Sequence, residues 1–138
     1  MVLDTNVLLD WLVFGNPAAR PLADALQAGR LRWLATEAMR EEMGCVLQRG
    51  IGPRWAVDEA LWQAAWQRHA ELVPAPQPGL GTPRCSDPDD QKFIDLALHL
   101  PARWLLTRDR ALLKLARTAR RFGVEVLTPE RWNAIASG

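Results

Sequence analysis

Four separated acidic residues are candidates for one site: three stand where the sequence predicts that a strand ends or that a helix begins, and one lies within a predicted helix. They are spread along the chain and are, in order, Asp4, Glu42, Asp90 and Asp109. Two full carboxylate charges about 4 Å apart repel each other by roughly 4 kcal/mol at an effective dielectric of about 20. A bound cation removes that repulsion, so convergence of the four acids would create a divalent metal site. Oxygen ligands of this kind suit Mg²⁺ or Mn²⁺.

Helical phase selects one glutamate in the segment that follows Thr36. Its apolar face consists of Met39, Met43, Val46 and Leu47. At about 100° per residue, Glu42 lies roughly 85° from the centre of that face and Glu41 lies nearly opposite it. We therefore predict that Glu42 reaches a cleft beside the core, whereas Glu41 points to solvent.

The third acid belongs to the cluster Asp87-Pro88-Asp89-Asp90. Asp90 shares a helical stripe with Ile94, which places its carboxylate in line with the buried face at the first turn. Asp87 or Asp89 is predicted to be the N-cap of this helix. Asp89 is also a possible secondary metal ligand, whereas Asp95 is predicted to be a surface carboxylate.

The remaining two acids follow predicted strands. Asp4 closes Val2-Leu3, and Asp109 comes shortly after Trp104-Leu105-Leu106. Ligands of open parallel sheets bind outside the carboxyl ends of the strands, where both acids would lie. A plainer interpretation remains open for each, namely a turn or N-cap residue at the start of the next helix.

Predicted strands and helices alternate along the chain. Strands are predicted at 1–4, 31–35, 103–107 and 124–127, and helices at 17–29, 36–47, 54–72, 89–100, 109–121 and from Pro129 onward. Residues 74–88 contain five Pro and two Gly and are predicted to form an irregular loop. Such alternation produces parallel βαβ units. We expect a single domain over 1–138, a three-layer α/β/α fold with a central, mostly parallel sheet of four to five strands.

Several classes of protein are disfavoured by composition. Cys45 and Cys85 lack CxxC spacing, which argues against a zinc site or a disulfide framework. His69 and His99 are isolated on predicted helices, and we find no nucleophilic Ser or Cys constellation and no glycine-rich phosphate loop. Neither a signal peptide nor a membrane span is recognisable. We expect a cytoplasmic protein.

The motifs around the four acids resemble those of a known family. They are Leu3-Asp4-Thr5-Asn6-Val7, Glu42-Met43, Asp90-Gln91-Lys92-Phe93-Ile94 and Leu106-Thr107-Arg108-Asp109. In this order and spacing they resemble the PIN-domain ribonucleases over essentially the whole chain. The likeness is greatest to bacterial and archaeal PIN proteins regarded as toxins of toxin–antitoxin pairs, relatives of the VapC toxins.

This resemblance implies a PIN-like fold and a Mg²⁺- or Mn²⁺-dependent endoribonuclease. The four acids would be the catalytic and metal-binding residues. Thr5 and Asn6 would support Asp4, and Thr107 would support Asp109. The resemblance further implies a homodimer that a cognate antitoxin inhibits by occupying the active-site groove.

Basic residues near the last acid are candidates for binding the RNA substrate. Residues 101–138 carry eight basic and three acidic side chains, whereas residues 1–100 carry nine and thirteen. Along the predicted helix, Arg110, Lys114, Arg117 and Arg121 share one face. This face is either a track for RNA phosphates or an ordinary solvated face with cations near a helix C-terminus. Arg108, beside Asp109, is the better single candidate for a substrate contact.

Four alternative functions can be weighed against the sequence. An aspartate-nucleophile phosphatase needs a second Asp two residues after the first, where this chain has Asn6. A phosphoacceptor receiver domain needs a late Lys that the segment Thr107-Arg108-Asp109 does not supply. A PIN-fold protein that binds RNA or a partner without cutting, or an RNA-processing nuclease without a toxin role, stays open.

Overall fold

Five short strands form the centre of the computed structural model, which describes residues 1–50, 58–77 and 82–136. They are β1 (Val2–Leu3), β2 (Trp33–Ala35), β3 (Ala70–Leu72), β4 (Trp104–Leu106) and β5 (Glu125–Leu127). Every pairing between them is parallel. The pairings give one sheet in the order β1-β4-β5 and a second sheet of β2 and β3.

The two sheets lie edge to edge, because the Leu34 N–H donates to the Met1 carbonyl oxygen at 2.9 Å. The strands therefore follow one another in the order β3-β2-β1-β4-β5. After β1 the chain adds β2 and β3 on one side of β1, and it later adds β4 and β5 on the other side. The strand order therefore reverses between β1 and β4. Such a reversal opens a crevice at the carboxyl ends of the two strands. The predicted α/β fold with a mostly parallel sheet is confirmed.

Eight α-helices connect or flank these strands within the described residues. They are α1 (Thr5–Leu12), α2 (Arg20–Gln27), α3 (Glu37–Arg49), α4 (Glu59–His69), α5 (Gln91–His99), α6 (Arg110–Leu113), α7 (Ala116–Arg120) and α8 (Pro129–Ala136). Single 3-10 turns precede α2 and α5, at Pro17–Ala19 and Pro88–Asp90. No helix in these ranges combines the length and the apolar character needed to cross a bilayer.

Two helices begin where the sequence predicts. Thr36 caps α3 by accepting a hydrogen bond from the Met39 N–H at 3.4 Å, and α8 starts at Pro129. The proline-rich segment forms neither helix nor strand at 74–77 and 82–87, in agreement with the prediction, while 78–81 lie outside the described residues.

Other boundaries were predicted wrongly. Helix α1 was not predicted. The first strand was predicted at 1–4, but it ends at Leu3 and the helix begins at Thr5. The predicted helix 54–72 ends too late: Ala70–Leu72 leaves helical geometry to pair with β2, a tertiary interaction that local pattern does not reveal. Residues 54–57 of that prediction lie outside the described residues. The predicted helix 109–121 is interrupted between α6 and α7, and 17–29 begins as a 3-10 turn and ends at Gln27.

The two central strands are apolar on both faces. Val2 and Leu3 of β1 and Leu105 and Leu106 of β4 are at most 2% exposed. This is typical of parallel strands that are covered on both sides. Helix α5 packs against both strands through a face that includes Ile94, which is fully buried. The packing holds the first turn of α5, and with it Asp90, at the carboxyl end of the sheet.

Shortening Ile94 by one methyl group, Ile94→Val, should lower the free energy of unfolding by about 1 kcal/mol, because the vacated space is fully enclosed. Urea denaturation measures this change. The matched control is Ile135→Val on α8, where the side chain is 47% exposed and the same deletion should have almost no effect. Equal effects in the two variants would contradict the packing described for α5.

Candidate active site

The crevice between β1 and β4 collects acidic side chains from four elements. Asp4 directly follows β1, and Asp109 follows β4 by three residues. Asp90 ends the 3-10 turn that leads into α5, and Glu42 lies in the middle of α3. Contacts bring the four acids into one region of the molecule. Thr107 hydrogen-bonds to the Asp4 carboxylate and to the Asp109 N–H, and one carboxylate oxygen of Asp90 lies within 4.8 Å of one of Asp109. Glu42 accepts a hydrogen bond from the hydroxyl of Thr5, the residue after Asp4.

A single threonine hydroxyl connects the acids that follow the two strands. The Thr107 Oγ1 donates a hydrogen bond to Asp4 Oδ2 at 2.6 Å and accepts one from the Asp109 N–H at 2.9 Å. Thr107 is fully buried and Asp4 is only 3% exposed. The Asp4 N–H donates to the Leu106 carbonyl oxygen at 3.0 Å, which continues the pairing of β1 with β4. Asp4 is therefore fixed by its backbone and by its side chain.

Three of the acids approach closely enough to share a cation. One carboxylate oxygen from each of Asp87, Asp90 and Asp109 lies within 4.8 Å of the other two. The Oδ2 atom of Asp90 is buried without a hydrogen-bond partner within the described part of the chain. A buried carboxylate oxygen with no partner is costly. Its position beside two further acids fits an oxygen-coordinated divalent cation.

Two members of this group of three are also N-caps. Asp109 Oδ1 accepts from the Ala111 N–H at 2.7 Å, and Asp87 Oδ1 accepts from the Asp89 N–H at 3.0 Å. Asp109 therefore caps α6 and also contributes a carboxylate oxygen to the group. Asp87 was predicted only as an N-cap, and its place among the candidate ligands was missed. The tight Asp-Pro-Asp-Asp turn, which brings Asp87 close to Asp90, is the signal that could have revealed it.

Two acids of the site are hard to ionise. Burial raises the pKa of Asp4, and the charges of Asp109 and Glu42 act in the same direction, while the Thr107 hydrogen bond opposes them. Burial also raises the pKa of Asp90 to about 8, together with a hydrogen bond to Asp109 and the charges of neighbouring acids. In the absence of a cation, Asp90 therefore holds its proton at pH values at which a free Asp is ionised.

Glu42 is placed differently from the three aspartates. Its side chain is 25% exposed, and both of its oxygens are engaged, Oε2 by the Thr5 hydroxyl at 2.6 Å and Oε1 by the Lys92 ammonium at 2.6 Å. The neighbouring Glu41 is exposed, in line with the helical phase. Glu42 therefore lies beside the group that could share a cation without belonging to it. Its role as a metal ligand stays a prediction.

The predicted supporting residues are also distributed unevenly. Thr5 supports two acids, since its backbone hydrogen-bonds to the Asp4 carboxylate and its hydroxyl to Glu42. Asn6 is exposed. Asp89 is exposed as well; its carbonyl oxygen accepts from Lys92 at 2.5 Å, and its carboxylate is not part of the group of three.

Arg108, predicted to be the better single candidate for a substrate contact, is held by two carboxylates outside the acidic site, and its contact with substrate stays a prediction. Its Nε donates to Asp10 Oδ2 at 2.5 Å, and its two terminal nitrogens donate to Glu130. These ion pairs tie α1 to α8. These contacts engage three of the five N–H donors of Arg108, and the two carboxylates offset its charge. The sequence could not reveal this, because Asp10 lies 98 residues away.

The exposed cations near Asp109 do not form one continuous helical face. Arg110, Lys114, Arg117 and Arg121 are all exposed, as a substrate track requires. The helix that was predicted to align them is interrupted between α6 and α7. Their role in binding substrate stays a prediction.

Comparison with known proteins gives one match. A family model described as PIN domain matches residues 1–111, a range that includes every acidic residue of the site. No curated protein and no solved structure matches the chain.

The raised pKa of Asp90 predicts an unusual pH dependence of stability in the absence of divalent cations. An unfolded Asp loses its proton near pH 4, whereas folded Asp90 keeps it up to about pH 8. The folded state binds more protons between these values, so stability should fall as the pH rises from about 5 to 8. Thermal unfolding in EDTA measures this trend. Asp90→Asn should flatten it, and a wild-type midpoint that rises or stays constant over this range would contradict the assignment.

Replacing Thr107 by the isosteric Val removes the donor to Asp4 and the acceptor for the Asp109 N–H. Because both partners would stay buried or half-buried, we expect a loss of about 1–3 kcal/mol in the free energy of unfolding. Thr118→Val, at an exposed position of α7, is the matched control. If urea denaturation shows equal losses for the two variants, the Thr107 hydroxyl does not connect the strands as described.

Proposed function

This chain belongs to the PIN-domain family, and from that premise and the acidic site we propose that it is a Mg²⁺- or Mn²⁺-dependent endoribonuclease that hydrolyses RNA phosphodiester bonds. One observation carries the proposal. The unpartnered, buried Oδ2 of Asp90 lies in a group of carboxylates, with Asp87 and Asp109, at the carboxyl end of a parallel sheet.

The donors of the site suit a hard divalent cation. Carboxylate oxygens are the ligands that Mg²⁺ and Mn²⁺ prefer. Asp90 and Asp109 would hold the ion, with Asp4, Asp87 and Glu42 as the other candidate ligands. Such an ion would offset the negative charge of the phosphodiester during hydrolysis and would make bound water a better nucleophile at neutral pH.

The surrounding residues prepare the acids for this task. Thr107 fixes the carboxylate of Asp4 and the backbone of Asp109. The Thr5 hydroxyl and Lys92 fix Glu42 at the border of the site. These contacts fix Asp4, Asp109 and Glu42 before substrate binds. Groups that are already in position stabilise the charge of a transition state without a cost of reorganisation. Arg110 and Lys114, both exposed, are the candidate contacts for more distant phosphates.

For the biological setting we propose the toxin of a toxin–antitoxin pair: a cytoplasmic, homodimeric PIN domain that spans 1–138 and is inhibited by a cognate antitoxin. The motif resemblance supports this role. The alternatives are an RNA-processing nuclease without a toxin role and a protein that binds RNA or a partner without cutting. The engagement of both Glu42 oxygens by Thr5 and Lys92 is the observation that favours weak or absent catalysis. A small upstream reading frame that encodes a DNA-binding segment and a disordered tail would support the toxin role.

The purified protein should cleave RNA with Mg²⁺ or Mn²⁺ and should lose that activity in EDTA. Asp90→Asn should reduce the rate at least about a hundredfold, since it removes a carboxylate ligand of the proposed ion from the centre of the site. Gel analysis of a labelled RNA measures both effects. Glu41→Gln, at an exposed position next to Glu42, is the matched control and should keep wild-type activity. Cleavage in EDTA, or full activity in Asp90→Asn, would overturn the proposal.

A further inference from the structure

Lys92 supplies an ammonium group at the border of the acidic site. Its Nζ lies 2.6 Å from Glu42 Oε1 and 2.5 Å from the Asp89 carbonyl oxygen. The lysine is two residues beyond Asp90, in the first turn of α5. Its side chain is 28% exposed, so solvent and ligands can reach it. Among the ion pairs of the described residues, the pair of Lys92 with Glu42 is the one that joins a cation to one of the four acids.

A phosphodiester that enters this site meets several carboxylates, all of which repel it. A cation fixed close to the acids reduces this repulsion and gives the phosphate a partner. Arg108 is less suited to this task because two carboxylates, Asp10 and Glu130, offset its single charge. Lys92 pairs with one carboxylate, lies two residues beyond Asp90 in the chain and is partly exposed.

We propose that Lys92 binds the RNA phosphate that lies next to the acidic group, and that Glu42 holds the ammonium in place for it. This inference rests on the proposed ribonuclease function and names a substrate-binding residue for it. The two hydrogen bonds of Lys92 Nζ occupy two of the three donors of its ammonium group. The third donor is available for a phosphate oxygen while Glu42 and the Asp89 carbonyl oxygen keep their hold.

The packing around Lys92 explains why the ammonium keeps its place. The side chain extends from α5 to α3, so the bond to Glu42 connects residues 50 positions apart. The Nζ also lies 5.2 Å from the centre of the Phe93 ring, a cation–π distance. Phe93 is itself 1% exposed and immobilised in the core. A compact point charge held in this way can bind a phosphate of any nucleotide sequence.

Fluorescence anisotropy with a short, labelled, single-stranded RNA of mixed sequence tests this assignment, in EDTA and over a series of KCl concentrations. Loss of one phosphate contact from single-stranded RNA should reduce the slope of log affinity against log salt by about 0.7. For Lys92→Met we expect this reduction and an affinity about tenfold lower. Lys92→Arg keeps the charge and should keep the wild-type slope. Arg32→Met is the matched control, because it removes a cation from an ion pair of equal 2.6 Å length with Glu71.

The Glu42→Gln background tests whether Lys92 contacts the phosphate directly. In the alternative explanation, Lys92→Met weakens binding only because it leaves the charge of Glu42 without a partner. If Lys92 binds the phosphate, Lys92→Met should still lower the affinity and the slope when Glu42 is already replaced by Gln, but by less than in the wild-type background, because Glu42 no longer holds the ammonium in place. A wild-type slope in Lys92→Met, or no loss in the Glu42→Gln background, would overturn the inference. Circular dichroism checks that each variant is folded. Failure of the wild-type protein to cleave RNA in Mg²⁺ would contradict the ribonuclease proposal, and the binding result would still decide the role of Lys92.

Discussion

Repulsion between carboxylates at the carboxyl end of the sheet is the constraint to which the rest of the site is fitted. Two contacts oppose it in the structure: the Thr107 hydroxyl donates to Asp4, and the Lys92 ammonium neutralises Glu42. Burial and the repulsion that remains raise the pKa of Asp90 to about 8. A divalent cation would complete the same task, which is why the site makes physical sense as a metal centre.

The fold provides the position at which this repulsion has to be managed. Strand order reverses between β1 and β4, so the crevice opens where Asp4 and Asp109 leave the sheet. Helix α5 packs on both strands and brings Asp90, while α3 brings Glu42 from another direction. The ion pairs of Arg108 with Asp10 and Glu130 keep α1 and α8 against the loop that carries Asp109. Arg108 and Asp109 are therefore adjacent in the chain, but Arg108 makes structural ion pairs whereas Asp109 belongs to the candidate site.

Local pattern was sufficient for some of these features and insufficient for others. The alternation of predicted strands and helices predicted the parallel sheet, and capping preference identified Thr36 as the N-cap of α3. Strand β3 was missed because its only cause is pairing with β2, about 37 residues earlier in register. The partners of Lys92 and Arg108 lie 50 and 98 residues away, so no local rule could distinguish the cation beside the acids from the one tied to α1 and α8.

The central claim is that the acids around Asp90 form a divalent cation site, and anomalous diffraction from a crystal soaked in Mn²⁺ tests it most directly. We predict an anomalous peak within coordination distance of carboxylate oxygens of Asp90 and Asp109, where the unpartnered Asp90 Oδ2 lies. The peak should be absent from crystals of Asp90→Asn soaked in the same way. A fully occupied Mn²⁺ elsewhere in the molecule, with no peak beside Asp90, would contradict the account.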